Sequence, residues 1–186
     1  MFFEDDDYRA FLFRLGLGLG FEKKELEHEL LFFPKSRVRL SAKKGMFNLH
    51  GFCLMPNHFH LLIEQQNKVP ISNLMLRICT SFSMFLNKKY KRVGHIFQDQ
   101  FKAVAVESDR QLRWLCSYIH MNPVKSGLVD EPEEYKWSSF KDFVGQRELP
   151  IISKNLFPGM FGNKKDFARE VRGVKIEDLE IADLDF

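Results

Sequence analysis

Two histidines separated by a single residue, His58 and His60, have the chemistry to bind a cation. Residues i and i+2 of a β-strand project from the same face, so a strand here would place both imidazoles side by side. Phe59 would then point to the opposite, core-facing side. Neutral imidazoles are common metal ligands, and a pair of them forms a partial metal site. The same spacing also occurs in histidines that only pack or lie on the surface, so this interpretation stays open here.

A tyrosine and an asparagine, Tyr118 and Asn122, lie four residues apart. This spacing is about one helical turn, so a helix would present both side chains on one face. A tyrosine hydroxyl can attack a phosphate as a nucleophile, and an amide oxygen can complete a metal site with the histidines. The alternative is that Pro123 ends a helix near Asn122 while Tyr118 packs in the core.

A basic cluster follows a predicted helix over residues 71–90, with aromatic side chains among the charges. Positive charge interleaved with stacking faces is typical of single-stranded nucleic-acid binding. The alternative is an ordinary solvated helix end, where cations also favour the helix dipole. The basic residues are Lys88, Lys89, Lys91, Arg92 and Lys102, and the aromatic residues are Phe85, Tyr90 and Phe97.

Composition limits the class of protein. The 186 residues suit one domain with a short appendage, and 45% hydrophobic residues suffice for a core. The net charge of +3 permits a nucleic-acid partner without requiring one. Three cysteines without a CxxC pair favour a reduced, cytoplasmic setting, and we expect neither a secretory signal nor a membrane span. A zinc site from His50, Cys53, His58 and His60 would lack standard zinc spacing.

The elements that must position these residues can be predicted from apolar periodicity. Two apolar runs around Pro56-Asn57 predict a β-hairpin over residues 47–64. Helices are expected from the Asp5 to Asp7 cap to Leu15, over residues 71–90, and from an Asp109 cap to about residue 121. Residues 95–106 predict a further strand by alternation. This mixture without a βαβ rhythm indicates an α+β domain with an antiparallel sheet.

Four ordered segments resemble the REP-associated tyrosine transposases, which are single-tyrosine HUH transposases of bacterial insertion sequences. Residues 55–62, MPNHFHLL, resemble the family's MPNHxH segment, and residues 94–98, GHIFQ, resemble GxxFQ. Residues 118–129, YIHMNPVKSGLV, resemble YIHxNPVxAGLV, and residues 135–140, YKWSSF, resemble YxWSSY. The similarity is dense over residues 46–145.

The resemblance implies a fold and a chemistry. The fold would be a ferredoxin-like antiparallel sheet with helices on one face, the HUH endonuclease fold, over residues 1–145, with residues 146–186 as a small C-terminal tail. His58, His60 and Asn122 would bind Mg²⁺ or Mn²⁺, although relatives usually have glutamine in place of Asn122. Tyr118 would cleave and rejoin single-stranded DNA with hairpin or palindromic ends through a 5′-phosphotyrosine. The basic cluster would contact the DNA backbone.

The resemblance also implies a bacterial, nucleoid-associated protein that is a monomer or a homodimer. Relatives begin with a strand of the type YHVTxRGxxR, whereas this chain opens at residues 2–8, FFEDDDY, so we expect the N-terminal strand of the sheet to be missing. A late start codon, a truncated relic, or replacement by another segment such as residues 37–40 would each explain this. The alternative function is a decayed, non-catalytic nucleic-acid-binding relic.

Overall fold

The computed structural model describes residues 1–32 and 43–174, which form an α+β structure with a two-stranded antiparallel sheet. Contacts divide the chain into two compact units. The first unit contains residues 1–48 and 64–101, and the second contains residues 49–63 and the chain from 102 onward. The substitute strand considered for residues 37–40 lies outside the described residues.

The first unit contains three helices, α1 (Asp5–Gly18), α2 (Lys23–Leu30) and α3 (Ile71–Lys89). Helix α1 is preceded by Glu4 as its N-cap residue, where Glu4 and Asp7 form a capping box, and its acidic first turn favours the helix dipole. Most of α1 is buried, including the rings of Phe11 and Phe13. A helix with apolar side chains around most of its circumference must be covered by neighbours, which is why α1 forms the centre of this unit.

Close packing between α1 and α3 depends on a glycine. A Cβ built on Gly18 would lie 2.9 Å from the Leu74 side chain and 3.2 Å from that of Ile78. The helix continues through Gly16 and Gly18, whereas the sequence predicted that it would end at Leu15. Gly20, with a φ of +92°, comes after the helix and lies against the backbone of Lys44.

The predicted hairpin is confirmed as β1 (Phe47–Leu54) and β2 (Phe59–Gln65). Its turn contains Pro56 and Asn57, and the Met55 amide donates to the His58 carbonyl at 2.9 Å. On the edge of β1 away from β2, the Leu54 amide donates to the Trp137 carbonyl and the Ser139 amide donates to the Phe52 carbonyl, both at 2.9 Å. The Trp-Ser-Ser segment therefore pairs with β1 as a short bridge.

The second unit packs four helices around an aromatic core. They are α4 (Asp109–Lys125), α5 (Phe140–Val144), α6 (Phe157–Phe161) and α7 (Lys164–Arg172). The rings of Phe140, Phe143 and Phe167 are buried beside α4. Residues 146–174, predicted as part of a small tail, supply α6 and α7 to this core, while the domain boundary at residue 145 stays a prediction.

Three predictions about local structure are wrong. Residues 95–106 form no strand, and residues 101–106 are exposed, because alternation alone does not provide a neighbouring strand to pair with. Helix α4 is capped by the Ser108 hydroxyl, which accepts from the Gln111 amide, rather than by Asp109. It also continues through Pro123 to Lys125 instead of stopping at Asn122. No helix of the described residues is long and apolar enough to cross a membrane.

Candidate active site

The two histidines lie side by side, as their spacing predicted. Their Nε2 atoms are 3.1 Å apart, and the ring planes are nearly perpendicular. His58 Nδ1 lies 2.7 Å from the Asn57 side-chain oxygen, which it reaches as a donor when that nitrogen carries the proton. In this tautomer His58 Nε2 presents a lone pair. Metal-binding histidines typically donate from the second ring nitrogen in this way.

The spacing of the two Nε2 atoms tests whether they fit one cation. Adjacent ligands of an octahedral ion bound at 2.0–2.1 Å lie about 3.0 Å apart. The observed separation of 3.1 Å is close to this value, so the spacing of the two nitrogens is compatible with one shared ion. Imidazole nitrogen is an uncommon ligand for an ion as hard as Mg²⁺, and the identity of the ion, Mg²⁺ or Mn²⁺, stays a prediction.

Tyr118 lies directly beside the histidine pair. Its ring meets the His60 ring edge-on, with centroids 5.4 Å apart and an interplanar angle of 85°. On another side it stacks on Trp114 at 5.2 Å and 22°, and the Lys125 ammonium lies 5.9 Å from its centroid. The tyrosine is buried, and these rings restrict its orientation. The structure thus brings together His58, His60 and Tyr118 from two separate segments of the chain.

Asn122 lies one turn beyond Tyr118 on α4 and is also buried. Its side-chain nitrogen donates to the Tyr118 carbonyl at 3.2 Å. This bond occupies the amide nitrogen, so the amide oxygen is the atom suited to a cation. The role of Asn122 as a third ligand stays a prediction.

A buried polar chain runs beside the candidate site, through residues to which the sequence assigned no role. His120 is fully buried, its Nδ1 lies 2.7 Å from the Cys116 carbonyl, and its Nε2 lies 2.8 Å from the Ser139 hydroxyl. The same hydroxyl accepts from the Phe52 amide of β1 at 2.8 Å. Burial lowers the pKa of His120 to about 4, so the imidazole is neutral at neutral pH.

Further contacts position the end of β1. The Tyr135 hydroxyl donates to the Leu54 carbonyl at 2.6 Å, one residue before the turn that leads to His58. The guanidinium of Arg147 binds the fully buried carboxylate of Asp142 and also donates to the Lys136 carbonyl. Tyr135 belongs to a segment that the resemblance singled out, but only the tertiary structure shows what its hydroxyl contacts.

The zinc alternative is not supported. Within residues 1–32 and 43–174, no three side chains of His, Cys, Asp or Glu gather as a metal site. His50 Nδ1 faces the Ser153 carbonyl at 3.2 Å, and the Cys53 thiol donates to the Met55 sulfur at 3.6 Å. Burial raises the pKa of the Cys53 thiol, which opposes the thiolate that zinc requires.

The basic cluster is not uniform in the first unit. Lys88, Lys91 and Arg92 are exposed. The Lys89 ammonium instead lies 2.6 Å from the buried Asp7 carboxylate and also binds Glu4. Burial lowers the pKa of Lys89, but hydrogen bonds to these partners and to Tyr90 outweigh it, and the pKa is raised overall.

Lys102 is an exposed residue of the second unit. DNA contact by any of the five basic residues stays a prediction, and for Lys89 a structural role is now visible as well.

Comparison with known proteins identifies the family of the chain. The profile of the family described as "Transposase IS200 like" matches residues 22–122, more than half of the chain. A curated protein of Haemophilus influenzae, which carries the name of a REP-associated tyrosine transposase, is 31% identical over 119 residues. That match covers 57% of this chain and 66% of the relative, slightly less than two thirds of its length. No solved structure matches the chain significantly.

Proposed function

Because this chain belongs to the IS200-like transposase family, we propose that it cleaves and rejoins single-stranded DNA through a covalent bond to Tyr118. The substrate would be DNA with hairpin or palindromic ends. The proposal depends on one observation above all. The hydroxyl-bearing ring of Tyr118 lies against His60, whose Nε2 is 3.1 Å from that of His58. A tyrosine beside a pair of nitrogens suited to a cation is an arrangement that metal-assisted phosphoryl transfer can use, and this supports the proposal.

The reaction balances with the groups present. The Tyr118 oxygen attacks phosphorus, a Tyr118 oxygen–phosphorus bond forms, and the bond from phosphorus to the 3′ oxygen breaks. The phenol proton passes to water, and the departing oxygen takes a proton to become a 3′-hydroxyl. The resulting 5′-phosphotyrosine retains a phosphate ester, so attack by another 3′-hydroxyl rejoins DNA without an external energy source.

His58 and His60 would hold a divalent ion, with Asn122 as the proposed third ligand. When bound, this ion supplies positive charge that polarises the phosphate and offsets the charge that develops on its oxygens. The protein's own contribution is orientation. Trp114 and His60 restrict the Tyr118 ring from two sides, which reduces the entropy lost on reaching the attacking geometry.

The DNA backbone would be bound by the exposed cations Lys88, Lys91 and Arg92, with Lys89 and Lys102 as further candidates. Lysine and arginine contacts to phosphate supply affinity and orient the strand, but they do not read the base sequence. Aromatic rings near these charges, including Tyr90 and Phe97, are suitable faces for unstacked bases.

A covalent-capture assay tests the proposal. Purified protein is mixed with end-labelled single-stranded hairpin DNA from the flanks of its own gene and with Mn²⁺, and a denaturing gel shows whether label migrates with protein. We expect a shifted band that chelator and Tyr118→Phe abolish. Tyr8→Phe is the matched control. Tyr8 packs on Phe2 in the first unit, so this substitution should leave the band unchanged.

Other outcomes distinguish the alternatives. Hairpin binding without a covalent band from any preparation would favour the decayed, binding-only relic. Phosphodiester cleavage that survives Tyr118→Phe would favour hydrolysis by water, as in a metallohydrolase. Either result would refute Tyr118 as the nucleophile.

A further inference from the structure

We propose that His120 and Ser139 are positioning residues that set the place of Tyr118 relative to the histidine pair. This inference builds on the proposed function, because it concerns the same site. The two residues connect the segments that carry the reacting groups. His120 lies two residues after Tyr118 on α4, and Ser139 is bonded to β1, which leads through a tight turn to His58 and His60.

The direction of each hydrogen bond in this chain can be assigned. A carbonyl oxygen only accepts, so His120 Nδ1 must carry the proton that is donated to Cys116 at 2.7 Å. His120 Nε2 is then an acceptor, and the Ser139 hydroxyl must donate to it at 2.8 Å. The same hydroxyl oxygen accepts from the Phe52 amide at 2.8 Å. The shorter contact to His120 takes the only hydroxyl proton, so the Phe52 carbonyl at 3.2 Å does not receive it.

Packing alone would not define this position. Around the His120 ring lie Phe140, Phe143 and Phe167, with centroids 5.5 to 5.9 Å away. Contacts between apolar rings are weakly directional, so a helix can shift along them with little change in contact area. A hydrogen-bonded chain fixes the register, because a shift would leave buried donors and acceptors unpaired. A fully apolar side chain at position 120 would fill the same space without this directional requirement.

The register matters because the hydrogen-bonded chain joins α4, which carries Tyr118, to β1, which leads to His58 and His60. Displacement by about 1 Å from an attacking geometry can slow a reaction about 100-fold. Ser139 and His120 therefore act through Tyr118 and need not touch DNA. Their loss is expected to slow formation of the covalent bond while leaving DNA affinity unchanged.

The structure offers a matched pair of serines to test this. Ser138 and Ser139 are adjacent and both are fully buried. The Ser138 hydroxyl accepts from the Phe140 amide at 3.2 Å, a contact within its own segment. Ser139→Ala should slow adduct formation by about 10- to 100-fold per folded molecule. Ser138→Ala should change it by less than about 3-fold, and Ser139→Thr, which keeps the hydroxyl, should recover most of the lost rate.

A readout independent of activity follows the tyrosine itself. The chain has four tyrosines, so labelling with 3-fluorotyrosine gives four ¹⁹F resonances, and Tyr118→Phe assigns that of Tyr118. In Ser139→Ala the Tyr118 resonance should shift or broaden without DNA or metal, while those of Tyr8 and Tyr90 in the first unit stay in place. Ser138→Ala should leave all four unchanged.

The two measurements separate the two proposals. An unchanged Tyr118 resonance in Ser139→Ala overturns the positioning role, as does a normal adduct rate per folded molecule. Equal losses in the two serine variants, in proportion to their unfolded fractions, would show a purely structural role and also overturn it. If the wild-type protein forms no adduct while Ser139→Ala still changes the Tyr118 resonance, the proposed function is refuted and the positioning of Tyr118 is supported.

Discussion

Both units bury polar groups beside an aromatic core and both pair a buried carboxylate with a cation, but the polar chain nearest the candidate nucleophile is uncharged. In the first unit the fully buried Asp7 carboxylate binds the Lys89 ammonium, the Tyr90 hydroxyl and the Phe3 amide. In the second unit the His120–Ser139 chain is neutral. An ion pair tolerates small displacements because Coulomb attraction falls slowly with distance, whereas neutral hydrogen bonds depend on distance and angle. The neutral chain lies beside the candidate nucleophile, where position matters most.

The first unit also has a buried cation, Arg14, which clarifies how its helices are joined. The Arg14 guanidinium donates to the Ala10 carbonyl at 2.8 Å and to the Ser81 hydroxyl of α3 at 3.1 Å. It also lies 4.6 Å from the Phe85 ring. Burial lowers the pKa of Arg14 to about 10, so it remains charged at neutral pH. Charge in this unit therefore stabilises helix packing, and part of the cationic character seen in the sequence serves the fold.

The comparison predicts that removing the proposed cation ligands separates activity from stability most completely. Replacement of both His58 and His60 by alanine should reduce the covalent adduct below detection, by more than about 100-fold, because both imidazoles proposed to bind the cation are lost. Thermal unfolding should change little, since His58 is exposed and His60 only half-buried. The measurement is adduct rate beside calorimetry, with the exposed His28→Ala as control. Retention of adduct formation would contradict the metal role.

A large stability effect is expected from Asp7→Ala in the first unit. It would leave Lys89, the Tyr90 hydroxyl and the Phe3 amide without their shared acceptor, and the free energy of unfolding should fall by about 2–3 kcal/mol. Urea denaturation followed by circular dichroism measures this.

Asp6→Ala is the control for that substitution, because Asp6 is exposed and forms only a surface ion pair with Arg9. Its effect should stay within about 0.5 kcal/mol. Equal effects of the two substitutions would show that the buried position of Asp7 is unimportant.

Acid should weaken the second unit through His120. The folded-state pKa of about 4 lies below the ordinary value of 6.5, so the unfolded state binds a proton first and stability is lost as the pH falls below about 6.5. This group alone should lower the free energy of unfolding by about 1.4 kcal/mol between pH 7.5 and 5.5. The slope of the free energy of unfolding against pH, measured by urea denaturation at each pH, should flatten in His120→Asn and persist in His28→Asn. An unchanged slope in His120→Asn would contradict the burial of a neutral imidazole.

The smallest effect should come from single exposed cations. Lys88→Ala should weaken hairpin binding only a few-fold and reduce the slope of log affinity against log salt by about 1 if Lys88 contacts one phosphate. Fluorescence anisotropy over a salt series measures this. Lys24→Ala is the control, because Lys24 is exposed and pairs with Glu22. A slope that Lys88→Ala leaves unchanged would remove this residue from the proposed DNA surface.

The local elements that the sequence predicted well have strong internal signals. The hairpin was predicted from two apolar runs and the Pro56-Asn57 turn, and α3 from apolar residues at helical spacing. The prediction failed at residues 95–106, where alternation was present but no described strand pairs with the segment. The predicted end of α4 is also too early. A proline usually ends a helix, but Pro123 is accommodated within α4.

The sequence by itself determined the chemical types in the candidate site, the side-by-side imidazoles and the helical turn between Tyr118 and Asn122. These depend on spacing within one strand or one helix, which the backbone geometry sets locally. Only the tertiary structure decided that Tyr118 lies against His60, that Lys89 binds Asp7, and that His120 reaches β1 through Ser139. Such contacts join residues far apart in the chain, and their partners depend on how the whole core packs, which no local pattern encodes.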